Sequence, residues 1–207
     1  MRVGGTGTSQ SRPAGGARDS ETRILDAALQ QFEEIGVRKS TIDDIARRAG
    51  VGRMTVYRRF GSKDDIFTAV IDRDVRILLD EIAQTVEAEN TAEGRIVAAF
   101  THVIRCARSH RLFQRLVALD PETTLPKLTT AASGVLLTAV GAGVGFFGPG
   151  TEDHLAATDF TVRIEAAVRM IHSIALTPHV VVDLATDDQI AQFARICVVP
   201  LIMGTGR

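Results

Sequence analysis

The stretch STIDDIARRAGVGRMTVYRRFGSK, residues 40–63, sets Arg47, Arg48, Arg53, Arg58, Arg59 and Lys63 against only Asp43 and Asp44, in a chain whose formal net charge is -1. Arg53, Tyr57, Arg58 and Arg59 crowd into about two helical turns, which makes a surface suited to an anion. Two short helices crossing steeply need a small residue at their contact, a turn residue that tolerates positive φ, and an apolar anchor on the second helix. Ala46, Gly50 and Val56 stand at those places. Ile42, Ile45 and Ala49 complete the inner face of the first helix, and Val56 and Phe60, four apart, form that of the second. Arg53, Met54, Thr55, Tyr57 and Arg58 then point outward, as the N-terminal residues of a helix seated in a major groove would. Arg59 and Lys63 fall where they would flank the groove near phosphates. A solvated basic face on an ordinary helical hairpin is the plainer alternative.

The rest of the chain bounds the answer. Its 207 residues, 45% hydrophobic and 24% charged, suffice for one good core or two small ones. With six Pro, no Trp, and apolar spacings of three and four in place of strict alternation, an all-α fold is predicted. Residues 1–20, MRVGGTGTSQSRPAGGARDS, lack the apolar run of a secretory signal and cannot build a core, so they read as a disordered arm. Cys106 and Cys197 read as free thiols of a reducing, cytoplasmic compartment, without a metal or cofactor. The uncharged segment 128–150 carries an uninterrupted apolar run shorter than the ~20 residues a bilayer requires, so no membrane span is expected.

Periodicity and caps place helices from about Leu25 to Gly36, from the Ser40 or Thr41 cap to Ala49, from Arg53 to Phe60, and from Ser62 to about Ala88. Further helices are predicted at 91–109, 111–119, 124–146 with a break at Pro126, 152–176, and 187–203 interrupted near Pro200. The fourth is long enough to join two regions.

The segment STIDDIARRAGVGRMTVYRRFGSKDDIFTAV, with ILDAALQQFEEIGV before it, resembles the DNA-binding part of the TetR family of transcriptional regulators. The patterns TIxxIAxxAGV and TxYxxFxSK occur in the family's order and spacing over about residues 22–70. The resemblance implies a helix-turn-helix domain over 21–67 and a helical ligand-binding and dimerisation domain over 68–207. It implies phosphate contacts from Thr41, Arg59 and Lys63, base or nearby phosphate contacts from Arg53 and Thr55, and a backbone contact from Tyr57. Gly52 replaces the family's usual Ser or Thr cap, and Met54 replaces a small residue or Pro, so Met54 could touch a thymine methyl. Arg58 has no fixed role in the family.

By the same resemblance, an apolar small-molecule effector would sit among Phe100, Val103, Ile104, Ala107, Phe113, Leu116, Leu137, Phe146 and Phe147, with His102 and His172 as polar anchors. Each of these is also readable as plain core. The stripes Ile164, Val168 and Ile171, and Ile190, Phe193 and Cys197, resemble the helix pair that forms a homodimer in relatives, or else they pack inside one protomer. The motif GVGFFG, residues 143–148, fits GxGxxG but follows no strand, so it is not read as a dinucleotide site. Asp72, Asp74 and Asp80 lie among Arg73 and Arg76 as a solvated face, with no catalytic constellation beside them. The sequence therefore reads as a non-enzymatic regulator, expected to repress by binding double-stranded operator DNA. A helical adaptor that binds protein, or a helical enzyme for an apolar substrate, is the competing reading.

Overall fold

A computed structural model describes residues 15–119, 121–148, 157–177 and 181–204, and among these every regular element is helical. Helix α1 spans Gly15–Ile35. Residues 15–20, expected in a disordered arm, form its first turns; residues 1–14 lie outside the described part. Ile24, Leu25, Ala28 and Phe32 form its buried stripe, and Gly36 ends it at φ 82° with its N–H on Phe32 O at 3.0 Å.

Helix α2, Ile42–Ala49, starts at Thr41, whose hydroxyl accepts from the Asp44 N–H at 3.1 Å, and stops at Gly50 in the left-handed region, φ 63°. Helix α3, Arg53–Phe60, has Gly52 as its cap, without a side-chain bond. Helix α4, Lys63–Glu87, is capped by Ser62 and runs 25 residues, about 37 Å. Val37, Ile45, Ala46, Val56, Ile66, Phe67 and Val70 join the α1 stripe in a first core, where the Phe32 and Phe67 rings meet edge to face at 5.9 Å.

The remaining helices are α5 (Ala92–Ser109), α6 (Arg111–Leu119), α7 (Pro121–Leu128), α8 (Ser133–Phe147), α9 (Ala157–Leu176), α10 (Asp187–Phe193) and α11 (Val199–Met203). They enclose a second core of residues such as Ile96, Ile104, Phe160, Ile164, Ile190 and Val198, with Phe100 stacked on Phe193 at 5.7 Å. Ile82, Val86 and Ala99 tie α4 to α5.

One predicted break falls elsewhere. Pro126 lies inside α7, and the chain turns only at 129–132, where the Ala131 N–H returns to Pro126 O. The last helix is interrupted just before Pro200, as expected. A π-helical turn, Ala194–Val198, brings the Val199 N–H back to Ala194 O, giving room for a residue that lacks an N–H and crowds the carbonyl four positions before it. Thr124–Phe147 has the length and composition of a membrane span, with mean hydropathy 1.6, but it bends at that turn and α8 packs on α4, α5 and α9.

The two cores are joined by more than α4. Leu112 of α6 is buried in the first core, and Arg115 donates to Glu33 O at 3.0 Å. From α7, Lys127 reaches the Asp64 carboxylate at 2.8 Å and sits 4.6 Å from the centre of the Phe67 ring. Lys127 holds the Asp64 carboxyl below its ordinary range, first through that hydrogen bond.

Candidate nucleic-acid interface and apolar cavity

The N-terminal ends of α2 and α3 open on one surface, because Arg53 at the start of α3 pairs with Asp43 in the first turn of α2 at 3.1 Å. Arg53 also donates to the Tyr57 hydroxyl at 3.2 Å and lies 5.3 Å from that ring's centre. The two side chains one turn apart thus brace each other while Arg53 stays exposed. Met54 points outward, 76% exposed, beside exposed Arg58 and half-buried Thr55 and Tyr57. Thr41 is exposed at the α2 cap and donates its hydroxyl proton to Asp44 at 2.6 Å. Thr41, Arg53, Met54, Thr55, Tyr57 and Arg58 therefore share a solvent-facing surface.

Two expected phosphate contacts are engaged elsewhere. Arg59 is pinned to Glu21 of α1 at 3.2 Å, turned toward the domain's flank. Lys63 donates to the carbonyls of Val37, Arg38 and Ser40 at 2.7, 3.2 and 3.0 Å, which uses all three ammonium protons. It fastens the α1–α2 loop to the head of α4, and in that geometry it cannot also serve a phosphate.

Arg23, which the sequence reading passed over, completes the turn. Its guanidinium donates to Ala49 O from Nε at 3.0 Å and to Gly50 O at 2.8 Å, covering carbonyls that the end of α2 leaves without helical partners. A Cβ at Gly50 would lie 2.9 Å from Arg23 Nη2, so the glycine serves both the backbone angle and the clamp. The sequence signal is a basic residue on α1 opposite a glycine-ended helix.

Behind this domain lies a cavity of about 660 Å³ walled by residues such as Leu78, Ile82, Phe100, Val103, Phe147 and Ile171. Of the expected effector contacts, Phe100, Val103, Ala107, Phe113, Phe146 and Phe147 line it. Ile104 lines a smaller space of about 440 Å³ shared with Ala107 and Phe113. The Leu116 side chain lies outside the described part. Leu137 is 73% exposed and faces away, because Leu136, Ala139, Gly143 and Phe146 hold the inner face of α8 and position 137 is rotated about 100° from it. His172 borders the cavity and donates to Leu128 O at 2.6 Å.

The expected dimer contacts also turn inward. Ile164, Val168 and Ile171 line the cavity from α9, and Ile164 and Ile190 are 1% and 2% exposed within the single chain. Phe193 is held by Phe100, and Cys197 packs on the second core. The stripes are inner faces of their helices, leaving no surface to bury against a partner at Ile164 or Ile190. Outward apolar residues in this part of the chain are Val162 of α9, Ile196 of the π-helical turn and Met203 of α11, 60%, 66% and 39% exposed.

His102 does not enter the cavity. Its Nε2 faces Glu81 Oε2 at 2.9 Å, and Cys106 Sγ lies 3.4 Å from the same nitrogen. No ligand spacing was expected around Cys106, although His102 stands one helical turn before it.

Residues 24–70 match the family described as bacterial regulatory proteins, tetR family. Over 87 residues the chain is 36% identical to the uncharacterized HTH-type transcriptional regulator TtgW of Pseudomonas putida, covering 42% of this chain and 65% of that protein. Residues 24–70 thus carry the DNA-binding segment described for that family. It is also 32% identical over 126 residues to the HTH-type transcriptional activator FasR of Mycolicibacterium smegmatis, covering 55% of this chain and 58% of that one. The matched part thus spans less than two thirds of either curated relative. In fold, the chain is similar to the TetR family repressor AlkX from Dietzia sp., implicated in biodegradation of n-alkanes, with TM-score 0.67 and 18% identity over 87% of this chain and 94% of that one. It is similar also to FadR from Bacillus subtilis in complex with stearoyl-CoA, with TM-score 0.51 and 17% identity over 89% and 99%.

Proposed function

We propose that this protein is a cytoplasmic, homodimeric repressor of the TetR family that grips a palindromic operator through α3 and releases it when an apolar small molecule fills the cavity. The observation that carries this reading is the continuity of α4. Its first turns pack in the same core as α3, and Leu78 and Ile82 farther along are walls of the cavity. A ligand that moves those walls tilts the helix that holds the DNA-binding domain. Two recognition helices must sit ~34–36 Å apart to meet successive major grooves. A ten-degree tilt of a 37 Å rod moves its tip by about 6 Å, enough to lose that register. Leu112 and Lys127 give α6 and α7 their own hold on the domain, so the cavity acts on it through three helices.

The nearly continuous apolar wall favours a long alkyl or acyl chain over a charged effector. The stearoyl-CoA bound by FadR and the n-alkane context of AlkX support the same chemistry as a first probe. The test selects genomic fragments with the purified protein, footprints them, and titrates stearoyl-CoA and a long n-alkane with and without the selected operator. An effector that weakens operator binding tenfold must itself bind the DNA-bound protein tenfold more weakly, about 1.4 kcal/mol of coupling. Equal affinities in both titrations for a bound probe would remove it as an inducer. The likeness to the activator FasR supports activation as a second reading, which transcription from the selected promoter decides.

A further inference from the structure

Glu81 on α4 converges with His102 and Cys106, one turn apart on α5. His102 Nε2 lies 2.9 Å from Glu81 Oε2 and 3.4 Å from Cys106 Sγ, and Sγ lies 3.9 Å from Oε2. All three ligand atoms fall within 4.8 Å of one another. A tetrahedral ion with bonds of about 2.0–2.3 Å holds neighbouring ligand atoms ~3.3–3.7 Å apart. Shifts of about half an ångström would therefore place the three on one face of such a tetrahedron. The positions i and i+4 on α5 supply two donors from one helix face, and Glu81 closes the site from the facing helix.

We propose that Glu81, His102 and Cys106 form a binding site for a divalent transition metal of the zinc class, with a fourth position left for water or a donor atom of a bound molecule. One thiolate, one imidazole and one carboxylate suit a borderline-soft ion and not magnesium or calcium, which take oxygen ligands. Burial, with the Glu81 charge next in effect, raises the Cys106 thiol above its ordinary range, so the metal must displace that proton on binding. The outer partners would rearrange on this event. Arg105 lies 3.2 Å from His102 Nδ1 and 3.7 Å from Asp187 of α10. Once Nε2 holds a metal, Nδ1 carries the ring's proton and repels the Arg105 donor, which retains Asp187 as its partner. Glu81 and Cys106 border the apolar cavity, and His102 borders a separate polar cleft with Thr85 and Asp187, so the ion would sit in the wall between them.

The site does not depend on the operator-binding reading; its regulatory effect does. By fastening α4 to α5 partway along the lever, the ion would restrain the motion by which the cavity reaches the DNA-binding domain. The test titrates the reduced, metal-free full chain with cobalt(II). One equivalent per chain should produce a thiolate-to-cobalt charge-transfer band and the visible bands of tetrahedral cobalt, both removed by zinc. Cys106→Ser should abolish the charge-transfer band and Cys197→Ser should keep it, while Glu81→Gln and His102→Gln should weaken zinc binding by about 100-fold or more. Unfolding curves of the metal-free variants check that they fold. In the wild type, zinc should slow alkylation of Cys106 and leave that of Cys197 unchanged, a readout that needs no variant. Absence of the charge-transfer band, its survival in Cys106→Ser, or equal alkylation with and without zinc would overturn the site. Cobalt binding without any change in operator affinity would confirm the site and overturn only its coupling to DNA.

Discussion

Lys63 at the head of α4 donates to the carbonyl of Val37 at 2.7 Å, and this bond, with those to Arg38 and Ser40, makes it a fastener of the DNA-binding domain. Bonds from a charged donor contribute roughly 1.5–3 kcal/mol each when measured singly. Lys63→Met keeps much of the stem and should destabilise the chain by about 2 kcal/mol in denaturant unfolding. The dependence of operator binding on log salt should keep its slope. A slope lower by one at unchanged stability would restore the phosphate role that the sequence suggested.

Arg53 is held by Asp43 and Tyr57 in the free protein. Arg53→Ala should cost ~1–3 kcal/mol on the cognate operator and broaden the base preference at one pair of each half-site. Asp43→Asn removes the exposed partner that competes with DNA, and should tighten binding by about 0.2–1 kcal/mol. Selected-sequence logos and titrations check both. An unchanged logo for Arg53→Ala would remove its base contact.

Gly143 lets α8 approach α9, since a Cβ there would stand 2.7 Å from Ile164 Cγ2. Gly143→Ala should destabilise by about 1–3 kcal/mol through overpacking. Ile164→Val in the same chain should recover part of that loss, measurable as a coupling in a double-mutant cycle.

His110 lies 3.5 Å from Asp74 of α4. Its imidazole is raised above the ordinary 6.5 first by its pairing with the Asp74 carboxylate, against an opposing effect of burial, with the charge of Glu33 adding to the rise. Because the folded value is the higher one, the pair's stabilisation is fully present below about pH 6.5 and is lost as pH rises through the folded value. His110→Gln should reduce the part of the stability curve that falls with rising pH across that window. Urea unfolding at several pH values checks this, and an unchanged slope would show that the pair contributes nothing.

Val162 projects outward from α9, and Ile196 from the π-helical turn after α10. The double substitution Ile196→Glu with Val162→Glu should leave the protomer folded and give a monomer in light scattering. A folded dimer would place the interface on another surface. Phe193→Glu is a poor probe of dimerisation, because it breaks the stack on Phe100 and should unfold the second core.

The N-terminal helices were legible in the chain alone, because their signals act over short range. Thr41 and Ser62 cap their helices through N–H groups three residues on, and Gly50 ends α2 by its own backbone angle. The spacing of Leu25, Ala28 and Phe32 needs only one helix to be read. Past Val70 the same kind of signal shows that a helix face is buried without showing what covers it. Ile164 and Ile190 could meet a partner or their own cavity and core, and only packing placed them inside. Lys63 looked available to phosphate until three loop carbonyls closed around it. Glu81 meets His102 and Cys106 only because α4 and α5 lie side by side, a contact that no local spacing encodes. Caps and turns are settled within a few residues of chain, whereas the partner of a buried face, a charge or a thiol is settled by helices brought together from far apart in sequence.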